Sequence, residues 1–348
     1  MKLNLFILSI CIGFLGVSCK KEYQPRSIDR LSIEETVIDS SSIRAILALV
    51  DSTLLFATSD GYLGMSWNSE IRKFEQLRYD TIIPHFRSIA TNGQDTFVLS
   101  VGNPALLYKL SQGEISLVYK EQHEKVFYDA MEFADEQFGI AMGDPTDGCL
   151  SIIITKDGGN TWKKLPCDML PIVEEGEAAF AASNGNIKVL DDHIWIVTGG
   201  KRARVFYSED RGDSWSVYNT PIVQGGKMTG IYSVDFYDQH HGIIFGGDWE
   251  NKEHNTSNKA ITTDGGKTWQ LVADAAEPGY RSSVRYVPET NGKELFAVGS
   301  TGISYSNNGG LNWKKVSDQG YYTIRFVNRN MAWLAGNNKI GKLILDNE

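Results

Sequence analysis

A chain of 348 residues, 42% hydrophobic and 22% charged, with 34 glycines and only 9 prolines, has an ordinary globular composition and excludes collagen, coiled coil, wholesale disorder and a polytopic membrane protein. Its formal net charge of −9 also argues against a nucleic-acid partner, because counterion release from phosphates needs a basic stripe. Length alone allows about two domains, or one continuous all-β ring.

In chain order, Lys2 precedes an apolar run over residues 3–17, the length of a signal-peptide core and too short for a confident membrane span. It ends in Leu15-Gly16-Val17-Ser18-Cys19, small residues before a cysteine, which resembles the lipobox of bacterial lipoproteins. That resemblance implies cleavage after residue 18 and lipidation of Cys19; the alternative is an ordinary cleaved signal with an incidental cysteine. The location implied is a bacterial cell envelope, anchored by lipid on the periplasmic side or at the outer membrane. Residues 19–29 are polar, contain Pro25 and read as a flexible tether. Residues 30–348 are then a single domain.

From residue 31 onward the pattern is repetitive. LSIEETVI at 31–38 has strand character. An apolar residue followed by a charged one then recurs ahead of a two-strand stretch: Ile43-Arg44, Phe86-Arg87, Met131-Glu132, Ile187-Lys188, Val234-Asp235, Val284-Arg285 and Ile324-Arg325, most of the stretches closing on a glycine such as Gly143, Gly199, Gly246 or Gly336. A second pattern, [ST]-x-[DN]-x-G-x-x-W, follows four of these at 155–162, 208–215, 262–269 and 306–313. Its Asp157, Asp210, Asp264 and Asn308 bond the N–H groups of a turn, its glycine supplies positive φ, and Trp162, Trp215, Trp269 and Trp313 open the return strand. The intervals of 53, 54 and 44 residues between boxes match one four-stranded propeller blade. Seven copies predict an all-β, seven-bladed propeller of four-stranded blades. The last copy is one strand short, so residues 31–38 are expected to close the ring.

Once the chain is exported, Cys149 and Cys167 flank one hairpin and are either a cross-strand disulfide or two buried thiols. No CxxC, haem motif or GxGxxG supports a redox or nucleotide cofactor, and none is expected. His240 and His241 are adjacent and point to opposite faces. Asp144, Asp147 and Asp248 match no calcium loop, so no metal site is expected.

These repeats resemble the Asp-box, or BNR, repeats shared by sialidases, sortilin-type domains and the plant and cyanobacterial photosystem II assembly factor. FYDAMEF, GDPTDG, GEAAFAASN, TGGKRARVFYS, HHGIIFGGD and GYRSSVRYVP are similar to a bacterial branch near the assembly-factor proteins, some of whose members carry the names oxidoreductase or glycosyl hydrolase. The boxes speak for fold and not for chemistry. Strand alternation places the long loops opposite them, bringing Asp144, Glu177, Arg204, Asp248 and Arg281 to one face, as a binding rim or as a solvated one. The seven first-strand charges, Arg44, Arg87, Glu132, Lys188, Asp235, Arg285 and Arg325, are expected along the central channel. They form either an anion-attracting funnel, as the arginine patch of the assembly-factor family implies, or pairs such as Arg87 with Glu132 and Lys188 with Asp235. The function expected is a monomeric, non-catalytic scaffold binding a protein or glycan. The alternative is a sialidase-like hydrolase using Glu177, Tyr286 and Arg285, although Phe86-Arg87-Ser88-Ile89 lacks the proline of the sialidase F/Y-R-I-P motif.

Overall fold

A computed structural model describes residues 23–50, 53–67 and 70–345; the apolar N-terminal run and Cys19 lie outside the described residues. Blade 2 shows the unit: Phe86–Thr91, Thr96–Ser100, Ala105–Ser111 and Glu114–Glu121, each antiparallel to the one before. Blades 3 to 6 repeat it from inner strands Tyr128–Phe133, Ile187–Leu190, Thr229–Phe236 and Ser283–Tyr286. The long strand Ser32–Val50 serves two blades. Its first part pairs with Asn337–Ile344, Ser32 opposite Ile344, as the outer strand of blade 7; from Ile43 it pairs with Thr53–Thr58 as the inner strand of blade 1. The ring is therefore closed by hydrogen bonds between the first and last strands of the domain, leaving no open edge at the seam.

Successive residues of a strand point to opposite faces, so each blade feeds two cores. Among the described residues seven such clusters stand one between each pair of neighbours. Ala45 and Leu63 meet Phe86 and Val98 between blades 1 and 2; Trp195 and Val205 meet Ile231 and Phe236 between blades 4 and 5; Met331 and Trp333 meet Ile43 and Phe56 across the seam. These inter-blade clusters hold the ring together.

The boxes are stapled turns. Asp210 Oδ1 accepts from the Ser214 N–H at 2.8 Å and Oδ2 from the Ser214 hydroxyl at 2.5 Å, while Ser208 Oγ accepts from the Gly212 N–H at 2.8 Å. The same bonds recur at Asp157 and Asp264, and in part at Asn308. A further backbone bond ties each box to the first turn of its own blade, as from Gly158 N to Gln137 O at 2.9 Å. Burial alone would raise the Asp210 carboxyl, but the serine bonds hold it below the usual range. Asp210→Ala is expected to lose about 1–2 kcal/mol in urea unfolding. The box tryptophans are less enclosed than their spacing suggests. Trp162 is buried, but Trp215, Trp269 and Trp313 are half-buried lids whose indole N–H groups bond Gly212, Gly266 and Gly310 of their own turns.

Cys149 and Cys167 form a disulfide with a Cα–Cα distance of 5.5 Å. Residues 23–29, expected as free tether, are instead docked on blades 6 and 7. Arg26 donates to both carboxylate oxygens of Glu294, its backbone N–H to Oε1 and its Nε to Oε2, each at 2.9 Å. The Tyr23 hydroxyl bonds the same carboxylate, and Ile28 packs against the core between the two blades. Polarity at 23–29 reflects a specific buried partner, Glu294, that lies 268 residues from Arg26 along the chain; residues 19–22 lie outside the described residues.

Candidate functional site

Inner strands start at the face carrying the long loops and end at the face carrying the boxes. At the start of four of them the ladder skips a residue. Ile43 faces Thr58 and Ala45 faces Ala57, leaving Arg44 extra; Arg87, Asp129 and Tyr232 are extra in the same way in blades 2, 3 and 5. A bulge re-aims the side chain it carries. The repeat glycines allow the close approach: a Cβ on Gly143 would stand 2.3 Å from Phe127 O, and one on Gly246 1.9 Å from Gly230 O.

Three of the four, Arg44, Arg87 and Tyr232, line a cavity of about 310 Å³ in the loop face together with Phe180, Trp249, Tyr280 and Tyr322 among others. Phe180 stacks on Tyr232 at 4.0 Å between centroids, and Tyr280 meets Tyr232 edge-on at 4.7 Å. Arg44 lies 3.9 Å over the Tyr322 ring, and its Nε has no hydrogen-bond partner. Arg87 donates to Ala181 O at 2.7 Å and to His85 Nε2 at 3.0 Å. Burial, then the neighbouring Arg44 charge, lowers Arg87 to about 10, so it remains a cation at neutral pH. Burial and both arginines lower His85 to about 4, which keeps it the neutral acceptor. The cavity thus offers two cations framed by aromatic rings, in a setting that strengthens their field.

Its floor is a plug. The segment 179–186, between blades 3 and 4, threads the axis of the ring. Asn184 accepts from Met131 N at 2.8 Å and donates to Ile89 O at 3.1 Å; Ser183 donates to Ser282 O at 2.7 Å; Val234 N donates to Gly185 O at 2.8 Å; Arg325 donates to Ser183 O and Asn184 O at 2.9 and 2.8 Å. Five of its eight residues are alanine, serine or glycine, where larger side chains would meet five blades at once.

The plug divides the seven charged positions. Only Arg44 and Arg87 reach the loop face. Glu132, Lys188, Asp235, Arg285 and Arg325 line a second cavity of about 340 Å³ on the box side, so a single funnel is replaced by two separate chambers. In the second, Lys188 pairs with Asp235 at 3.3 Å, and Asp235 and Glu132 accept from the backbone N–H groups of Tyr286 and Val189. Burial alone would lower Lys188; Asp235 and Glu132 outweigh it and hold it above its ordinary value. The pairing of Arg87 with Glu132 does not form, because the plug stands between the two chambers that they line.

The remaining loop residues named from the sequence are held by internal hydrogen bonds. Glu177 is enclosed, accepting from Arg204 and from the Thr198 hydroxyl at 2.7 Å. Arg281 donates to Tyr280 O, Thr301 and Ser304. Asp144 accepts from Ala179 N at 2.8 Å, and Asp248 caps Glu250 N at 2.9 Å. The hydrolase set is not brought together, since Glu177 is locked to Arg204 near the loop face while Arg285 and Tyr286 line the opposite chamber. Among the described residues no group of three or more His, Cys, Asp or Glu side chains is placed to hold a metal ion.

The sequence model of the BNR/Asp-box repeat matches residues 260–271, which contain the third box. YCF48 bound to a D1 peptide superposes with a TM-score of 0.64 at 15% identity, over 92% of this chain and 98% of that one. YCF48 from Cyanidioschyzon merolae does so with a TM-score of 0.63 at 12% identity, over 90% and 98%. The chain is a β-propeller that carries a BNR/Asp-box repeat at residues 260–271 and resembles YCF48 in fold. The WD40 repeats of RRP9 superpose equally well, at 0.64 and 11% identity over 92% and 100%, so the likeness is one of fold. No curated protein matches the sequence.

One residue of this BNR propeller that sequence reasoning passed over is Asp129, within FYDAMEF. It is fully buried beneath the mouth and neither carboxylate oxygen has a partner. Burial, then the Asp144 charge, pushes Asp129 well above the ordinary carboxyl value, and burial pushes Asp144 up to about 6. Raised acids keep protons in the folded state that the unfolded chain releases, so their contribution is present at low pH and is lost as pH rises from about 4 through each folded value, about 6 for Asp144. Asp129→Asn is therefore expected to gain stability relative to wild type across that window, by up to about 1.4 kcal/mol per pH unit. Urea unfolding of both proteins at pH 4 to 7 measures it; a difference independent of pH contradicts the protonated assignment. Phe180, Tyr232 and Tyr322 were also missed, because their rings converge from the inner strand of blade 5 and from separate interblade segments that no local motif links.

Proposed function

We propose that this propeller is a non-catalytic binding scaffold that captures an extended, negatively charged protein segment at its loop-face mouth, and that it works in a bacterial cell envelope, tethered through a lipid on Cys19. The observation that carries the reading is the pair of bulges in blades 1 and 2, which turn Arg44 and Arg87 into an aromatic mouth with a closed floor. Two half-buried cations, one with an unpartnered Nε, provide for a carboxylate, and the rings provide for an apolar flank. A non-catalytic role is supported by the dispersal of the carboxyl, tyrosine and arginine that sialidase-type chemistry would need in one place. That a propeller of similar fold, YCF48, has been seen with a D1 peptide is consistent with this use of the scaffold. The lipid anchor rests on the lipobox-like LGVSC and on the disulfide, which belongs to an oxidising compartment.

The test is an array of peptides bearing free or amidated C-termini, probed with the soluble domain. Wild type is expected to bind acidic or free-carboxylate peptides with apolar neighbours. Arg44→Glu plus Arg87→Glu is expected to weaken them at least tenfold, about 1.4 kcal/mol. Arg285→Glu, in the other chamber, is expected to leave binding unchanged. Equal binding by the double variant, or displacement by neutral oligosaccharide alone, overturns the reading.

A further inference from the structure

The docked N-terminal segment fixes more than the seam of the ring. Residues 23–29 lie at the box end of blades 6 and 7. Their partner Glu294 immediately precedes the second strand of blade 6, just past its first turn; Asn330, which Arg26 Nη1 reaches at 3.3 Å, sits in the corresponding turn of blade 7; Asn307, which bonds Arg26 O, is the second residue of the fourth box. Burial would raise the Glu294 carboxyl, but Arg26 and Tyr23 hold it below its ordinary range, so the clamp joins a buried carboxylate to its counter-ion at 2.7 Å. Opening it would strand that charge in a site with no exposed side-chain surface. Lys314 pairs with Asp29 on the same segment. The exit of the N-terminus is therefore a fixed point on the domain.

We propose that the box face of blades 6 and 7 lies against the anionic surface of a lipid bilayer, so that the Arg44–Arg87 mouth on the opposite face points away from the membrane. This rests on the reading that Cys19 carries the lipid. Cys19 stands only four residues before Tyr23, and four extended residues reach about 14 Å at most. That is short beside the width of a seven-bladed domain, so the face holding Tyr23 must stay near the headgroups. Basic side chains in that region suit such a neighbour. Arg30, Lys293, Arg329 and Lys342 lie around the exit beside Asp29, Glu34 and Glu289, and bases near an anionic leaflet contribute about 1 kcal/mol each.

The experiment uses the full chain, lipidated and reconstituted in vesicles of three parts phosphatidylcholine to one part phosphatidylglycerol. One fluorophore is placed on Leu311→Cys, an exposed position in the fourth box, or on Lys201→Cys, an exposed position on the loop face, and a headgroup nitroxide serves as quencher. Quenching at 311 is expected to exceed that at 201 at least threefold. Arg26→Ala plus Tyr23→Ala is expected to shrink the difference while the protein stays vesicle-bound. Vesicle-bound protein with equal or reversed quenching overturns the orientation alone. A Cys19→Ala chain that partitions into membranes like wild type overturns the anchoring reading and the orientation with it.

Discussion

Arg204→Met is expected to cost about 3–5 kcal/mol of folding free energy, because it leaves the Glu177 carboxylate charged and enclosed without its counter-ion. Glu177 has no exposed side-chain surface and Arg204 has 12%. Arg204 Nε bonds Oε1 at 3.0 Å, Nη2 bonds Oε2, and Glu174 N donates to Oε2 at 3.1 Å. Replacing both partners, as in Glu177→Leu with Arg204→Met, is expected to recover most of the loss, since a well-packed apolar pair carries no desolvation penalty. Urea unfolding of the two single variants and the double variant measures the coupling. A loss below about 1 kcal/mol for Arg204→Met would mean that water reaches Glu177 and that the pair is not enclosed. Glu177 also stands where the chain turns into the plug, with Glu177–Ala178 pairing to Gly199–Gly200, so Arg204→Met should loosen the mouth's floor as well.

Trp195→Ala is expected to lose a similar amount, about 3–5 kcal/mol. The ring is fully buried, stacks on Phe236 of blade 5 at 3.8 Å between centroids, and its indole N–H donates to Gly265 O in the blade 5 box at 2.8 Å. A cavity there would face two blades and leave one carbonyl unbonded. Trp195→Phe keeps an aromatic face but drops the bond and part of the volume, so it should fall between alanine and wild type. Thermal unfolding of the three proteins, with Trp215→Ala as a half-exposed comparison, tests this; equal losses at 195 and 215 would contradict the ranking by burial.

Local, repeated features were the legible ones. The boxes, the inner strands and the closing strand at 31–38 each depend on residue types recurring at fixed spacing, and period-2 alternation then assigns faces. The bulges were not legible. Arg44 and Arg325 align in sequence, but one extra residue in the pairing of blade 1 sends Arg44 to the loop face while Arg325 faces the box side. A register slip of one residue reverses a side chain, and nothing in the local composition marks it. The plug left a faint signal, an eight-residue interblade stretch of small side chains with one phenylalanine, which a reading of loop length alone treats as surface. The clamp left none, because Arg26 and Glu294 meet only after the ring has closed.

The threading segment at 179–186 also changes what kind of repeat protein this is. In a solenoid each unit touches only its neighbours, and stability is a sum of local terms in one dimension. Here a single hub bonds blades 2, 3, 5, 6 and 7, so none of these five blades can be lost without stripping partners from a buried backbone. The blades are locally written and globally cooperative. Sequence separations of up to 142 residues in the hub's own bonds place much of that cooperativity late in folding, after the ring has come together around it.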